Sequence, residues 1–167
     1  MTTANYEPKK QISRRLCNLA AVILLSSLTA ALPAGAQDRS EAPQTQLEKN
    51  KELVIDFYKA IFDDRKVAEA FKKYATPNYT QHSPLATDVP STIEFLQNML
   101  NGMPEHDWEL KRAIAEGDLV ALHVHSWSVP ADPGRAIVEI FRVENGRVAE
   151  HWEVIQTVVK MEGRSMF

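Results

Sequence analysis

The stretch Ala136-Ile137-Val138-Glu139-Ile140-Phe141 holds one acid where an alternating strand would place an apolar side chain. Burying a carboxyl without a partner is costly, so Glu139 marks either a wet sheet face or a functional pocket. In a pocket walled by Ile137 and Phe141, a carboxyl can give or take a proton. Further along, His151 and Glu153 recur at a spacing of two, which puts both on one face of a strand. An imidazole beside carboxylates can shuttle protons at neutral pH. His123 and His125 share a face of another strand, and His123, the more central, is expected to look into the same interior. Gln81 and His82 lie in Tyr79-Thr80-Gln81-His82-Ser83-Pro84, read as an irregular segment at a pocket mouth. Catalytic candidates are therefore Glu139, His123, His151 and His82. Gln81, Phe141, Trp108 and Glu153 are candidates for contact with a ligand.

The elements that would carry these residues follow from periodicity. Leu47, Val54, Phe57, Tyr58, Ile61 and Phe62 make the apolar stripe of a first helix, which Asp63-Asp64 ends. Val67, Ala68, Phe71 and Tyr74 repeat the spacing in a second helix, expected to end at Pro77. A third helix is announced by Pro90 and the box Ser91-Thr92-Ile93-Glu94, with Ile93, Leu96, Met99 and Leu100 on its buried side. The period then changes from 3.6 to 2. Trp108, Leu110 and Ile114 are expected on one side of a strand closing at Glu116-Gly117-Asp118. Val120, Leu122 and Val124 alternate with Ala121, His123, His125 and Trp127 in the next. Residues 137–143 and 148–158 form an antiparallel hairpin around Glu144-Asn145-Gly146.

The fold class is α+β, with three N-terminal helices packed on a curved antiparallel sheet. Such a layout leaves a cone-shaped hollow suited to a small apolar ligand with a few polar handles. What Glu139 meets depends on the hairpin. A three-residue loop with Gly146 in the left-handed position puts His151 opposite it; a two-residue Asn-Gly loop puts Trp152 there. The first is favoured, because it brings Arg142 and Glu150 onto one face, close enough for an ion pair, and gathers Glu139, His151 and Glu153 on the other.

The amino-terminal 36 residues read as a secretory signal peptide. Lys9, Lys10, Arg14 and Arg15 precede an apolar run from Leu16 to Leu32, and Ala34-Gly35-Ala36 supplies a cleavage site. Ser13-Arg14-Arg15-Leu16 hints at twin-arginine export. Residues 37–46 read as a polar tether, and 47–167 as the domain. Cleavage after Ala36 leaves 131 residues with 15 basic and 21 acidic side chains, near −6. That balance argues against nucleic acid or an anionic membrane surface as partner. Cys17, the only cysteine, departs with the leader, so thiol chemistry and disulfides are excluded from the mature chain. Localisation is expected to be periplasmic or secreted, with no membrane contact after processing.

No nucleophile elbow, phosphate-binding glycine loop or dinucleotide fingerprint is present. Gly117 and the pair His123-Val124-His125 imitate the start of a cupin metal motif, but no glutamate follows at the required spacing. Neither a metal nor a cofactor is expected.

The stretch from Val138 to Gln156 resembles the closing hairpin of SnoaL-like polyketide cyclases, members of the nuclear-transport-factor-2-like (NTF2-like) superfamily. Tyr79–Pro84 and Leu119–His123 are also similar to family segments. The resemblance covers roughly residues 47–167 and implies the cone-shaped NTF2-like fold. In such cyclases an aspartate on the third strand is the general acid/base of an intramolecular aldol condensation, without cofactor or metal. Glu139 stands where that aspartate would be, and Glu153 replaces the aspartate usual after His-Trp. Both keep the charge but move the carboxyl by about an ångström, enough to alter a tuned geometry. The resemblance also implies a homodimer formed through the sheet, which Trp152 would suit.

The leading expectation is a small exported enzyme that moves protons on a carbonyl-containing substrate by aldol-type cyclisation or isomerisation. The rival is a non-catalytic module of the same fold that binds a small hydrophobic molecule or serves only to dimerise.

Overall fold

A computed structural model describes residues 44–167. The expected signal peptide (1–36) and most of the tether lie outside the described residues. Three helices, α1 (Gln46–Phe62), α2 (Val67–Tyr74) and α3 (Val89–Gly102), pack on a five-stranded sheet. The strands are β1 (Ala75–Gln81), β2 (Asp107–Glu116), β3 (Leu119–Trp127), β4 (Arg135–Glu144) and β5 (Arg147–Thr157), in the order β1-β5-β4-β3-β2. Among the described residues no helix is long and apolar enough to cross a membrane.

The helices form where the sequence spacing requires. Thr45 caps α1 by accepting from the Glu48 amide, and Asp63 closes it. Val54, Phe57, Tyr58 and Ile61 are its buried stripe. The box of α3 lies three residues earlier than expected. Asp88, not Ser91, is the N-cap, and Ser91 reciprocates as the third helical residue. An aspartate accepts from that amide at least as well as a serine. Leu100 is fully buried, and Ile93, Leu96 and Met99 pack against the core from one side.

That core lies between helices and sheet. Phe57 meets Phe71 and Phe141 edge-on at 5.2 and 6.1 Å, over Val120, Leu122, Val124 and Val148. Each such fully buried side chain contributes about 1.5–3 kcal/mol, and together they hold a chain that has no disulfide in this region.

Three departures from the expected sheet matter for the site. The sheet is mixed: β1 pairs parallel to β5, with Gln81 beside His151. Pro77 does not mark a loop after α2 but sits in an edge strand, within a register shift between Ala75 and Thr80 where a missing N–H costs nothing. In β2 a bulge between Leu110 and Arg112 reverses the alternation, so Ile114 faces outward and is 62% exposed while Trp108 and Leu110 face the core.

The hairpin takes neither expected register. Asn145 and Gly146 both have positive φ, the two-residue turn that matches strand twist, and Glu144 pairs with Arg147. A bulge then shifts the pairing between Arg142 and Val143, leaving Val148 and Ala149 both buried. The result sets Glu139 opposite Glu153 and Phe141 opposite His151. Arg142 still meets Glu150, at 2.6 Å.

Candidate active site

The inward faces of β4 and β5 deliver Glu139, Phe141, His151 and Glu153 to the wall of a cavity of about 150 Å³ under the helices. Glu139 is 5% exposed and His151 8%. Their side chains meet directly, His151 Nε2 lying 2.6 Å from Glu139 Oε2. The other carboxyl oxygen, Oε1, accepts a hydrogen bond from the Tyr58 hydroxyl at 3.1 Å. On the far side of the ring, His151 Nδ1 lies 2.9 Å from Gln81 Oε1. Gln81 is held in turn, its Oε1 accepting from the Ser83 amide at 3.1 Å and its Nε2 donating to the Tyr79 hydroxyl at 3.4 Å. Phe141 stacks on the imidazole at 4.7 Å.

The remaining wall is mostly aromatic and aliphatic, with Phe62, Phe95, Leu96 and Ile137 among its residues; Asp132 and Arg135 add charge to it. Burial, reinforced by the negative charges of Glu139 and Glu153, pushes the hydroxyls of Tyr58 and Tyr79 well above the usual phenol range. Both therefore stay protonated: Tyr58 donates to Glu139, whereas Tyr79 accepts from Gln81 and keeps its own O–H to donate.

Of the eight sequence candidates, Glu139, His151, Gln81, Phe141 and Glu153 come together here. Three do not. His82, expected at the pocket mouth, turns to the outer face, where its ring stacks on Trp152 at 4.5 Å and its Nε2 lies 2.9 Å from Glu150. The strand pairing that turns Gln81 inward forces its neighbour outward. His123, expected inside, is outside for the same reason: Val120, Leu122 and Val124 take the inward positions of β3. Its ring packs on Phe167 at 5.4 Å, and burial with the nearby charges of Arg112 and Lys111 holds its pKa below the ordinary value. Trp108 backs the site without lining it, packing edge-on against Tyr58 at 4.7 Å and donating from Nε1 to Asp63 at 2.6 Å.

Sequence reasoning missed Tyr58, Tyr79 and His106. Tyr58 hid in the apolar stripe of α1, where only its hydroxyl set it apart. Tyr79 fell in a segment read as irregular. His106, just before β2, lines the cavity with Nε2 at 3.0 Å from Ser126 Oγ. Its buried Nδ1 has no hydrogen-bond partner among the described residues. Desolvation, with Arg65 nearby, holds its pKa low.

Glu139, His151 and Glu153 each offer a ligand atom within 4.8 Å of the others. Two carboxylates and an imidazole suit a divalent cation as a donor set. The 2.6 Å contact between His151 and Glu139 is, however, a hydrogen-bond distance, and a cation would have to break it.

The helices laid over a sheet that closes with the β4–β5 hairpin are an arrangement that known proteins share. A family model described as the SnoaL-like domain matches residues 54–151. Among solved structures, a candidate polyketide cyclase from Acidithiobacillus ferrooxidans is 19% identical with a TM-score of 0.54, over 67% of this chain and 91% of that one. AclR, a candidate hydroxylase from Streptomyces galilaeus, is 23% identical with a TM-score of 0.55, over 66% and 81%. An NTF2-like protein of unknown function from Cytophaga hutchinsonii is 17% identical with a TM-score of 0.52, over 68% and 94%. No curated protein matches by sequence. Likeness at this level shows the fold, and the fold hosts more than one chemistry. With the family model running from the middle of α1 to His151, the chain belongs to the SnoaL-like family.

Proposed function

We propose that this protein is an acid/base enzyme that moves protons on a small carbonyl compound without a cofactor, through Glu139 and His151. The observation that carries this reading is a buried carboxylate on an open apolar cavity, in contact with an imidazole at 2.6 Å. A cavity of about 150 Å³ is comparable to the engineered apolar cavities that admit benzene. A single ring, or a chain of similar bulk, matches it.

In the proposed step Glu139 removes a proton from the carbon beside the carbonyl. The electron pair of that C–H bond moves to the carbonyl oxygen, and the enolate oxygen is held by a neutral donor, the Tyr79 hydroxyl, while His151 stays paired with Glu139. In an isomerisation the proton returns to a different carbon. In an aldol closure the enolate carbon attacks a second carbonyl and the proton passes to the new alkoxide. The SnoaL-like family membership supports both outcomes equally.

The test is exchange of the α-hydrogens of cyclohexanone and substituted monocyclic enones in deuterated buffer, followed by NMR. Wild-type protein accelerates exchange and Glu139→Gln does not. Acceleration that survives the substitution overturns the role of Glu139. Binding of these probes without exchange favours the rival reading, a module that only holds its ligand.

The basic, apolar and small-residue segments before residue 37 support export to the periplasm or beyond. The apolar outer face of the sheet around Trp152 and Val154 supports a homodimer.

A further inference from the structure

We infer that Gln81 is a positioning residue that fixes the His151 imidazole with its proton on Nδ1, so that Nε2 and Glu139 are left to share one proton. The inference deepens the proposed acid/base role, and its evidence is the hydrogen-bond pattern around one amide. The Ser83 backbone N–H can only donate, and it points at Gln81 from 3.1 Å, so the atom facing it must be the amide oxygen. That same oxygen lies 2.9 Å from His151 Nδ1, which must then carry hydrogen. The amide nitrogen, directed the other way, donates to the Tyr79 hydroxyl, so the amide cannot rotate without breaking several contacts.

The consequence falls on the opposite nitrogen. With Nδ1 protonated, a neutral His151 has a bare lone pair at Nε2, 2.6 Å from Glu139 Oε2. Two lone pairs do not approach so closely. The pair therefore holds one proton between Nε2 and Oε2, as carboxylic acid with imidazole or as carboxylate with imidazolium. Without the Gln81 acceptor, the ring could carry its proton on Nε2 and leave Nδ1 bare, and Glu139 would lose its partner for proton exchange.

The backbone makes this geometry rigid. Gln81 is the Cα partner of His151 in the parallel β1–β5 pair, and the His82 amide donates to the His151 carbonyl at 3.0 Å. On the outer face His82 stacks on Trp152 and reaches Glu150, clamping the same two strands from behind.

The test uses ligand-free, nitrogen-15-labelled protein and long-range proton–nitrogen correlation spectra of the imidazoles, with His151 identified by its loss in His151→Gln. Wild-type protein should show Nδ1 in the protonated range throughout pH 5–9. Gln81→Leu should move Nδ1 toward the unprotonated range above neutral pH, while Gln81→Glu, which keeps an acceptor oxygen, should preserve it. An unprotonated wild-type Nδ1 overturns the inference even if neither Gln81 variant folds. An unchanged Nδ1 in Gln81→Leu, or equal loss in both variants, also overturns it. Because no substrate is used, the result stands apart from whether Glu139 proves to be a catalytic base.

Discussion

Glu139 and Glu153 face each other directly across β4 and β5, two carboxylates at paired positions on one sheet face. Like charges directly opposite are destabilising, more so beside an apolar wall. His151 offsets the clash for Glu139 alone, since its Nε2 contacts Glu139 Oε2. The two acids therefore differ in role, with Glu139 holding a proton partner and Glu153 adding negative charge near it.

That difference predicts opposite responses to neutralisation. Glu139→Gln keeps the shape and should lower α-hydrogen exchange about 10²–10⁴-fold, the usual worth of a positioned general base. Glu153→Gln should cost activity less than tenfold and stabilise the fold by about 0.5–1 kcal/mol, read as a rise of a few degrees in Tm. Equal losses of activity in both variants would mean that the two carboxylates act as one unit.

Alkaline stability should follow the buried tyrosines. Tyr58 and Tyr79 keep their protons in the folded protein well above the pH at which an unfolded tyrosine releases them, because of burial and the charge of Glu139. From about pH 10 upward the unfolded state loses protons that the folded state retains, so stability falls as pH rises, by up to about 1.4 kcal/mol per pH unit per tyrosine. Urea midpoints between pH 9 and 11 should show the decline beginning near pH 10. Tyr79→Phe should make it shallower.

The histidines separate by face. His151→Ala should abolish exchange, whereas His123→Ala should leave it within about threefold, because His123 packs against Phe167 outside the cavity. Steady-state exchange rates on the two variants decide this. A large loss in His123→Ala would require the outer face to communicate with the site.

The fold was legible because periodicity reports burial, and most of the apolar stripes of α1, α2 and α3 and the alternation in β3 held. Leu47 and Ala68, expected in the stripes, are exposed, and Ala70 is buried in place of Ala68. What could not be read were the places where one residue breaks the period. The bulge near Lys111 sent Ile114 outward, and the bulge near Ala149 gave Glu139 a partner that neither simple turn allows. A bulge has no fixed composition, so its signal was only two adjacent apolar residues, Val148 and Ala149. The site acids and His151 could be found because a strand exposes polar intruders by contrast. Tyr58 could not, since an aromatic ring in a helical stripe looks like core until the hydroxyl finds an acceptor 81 residues away.

The proposed export makes a prediction about the chain itself. Expression in a bacterial host with an intact secretion system should yield protein whose first residue is Gln37, seen by intact mass spectrometry of the periplasmic fraction. Retention of Cys17 in that protein would rule out the expected cleavage.

The outer sheet face supplies the last prediction. Val154 is 63% exposed on the surface opposite the cavity, paired with Val138 and two residues from half-buried Trp152, which pairs with Ile140 on the same face. A contiguous apolar sheet surface of this kind is costly to leave in water and suits a second copy of the chain, whose own Trp152 would meet it about a two-fold axis. Val154→Arg places a charge at the centre of that contact, where burial without a partner costs several kcal/mol. Light scattering after size exclusion should find a dimer for the wild-type protein and a monomer for Val154→Arg. Since the substitution lies on the face away from Glu139, α-hydrogen exchange per chain should remain within about threefold, and a wild-type monomer at micromolar concentration would refute the dimer outright.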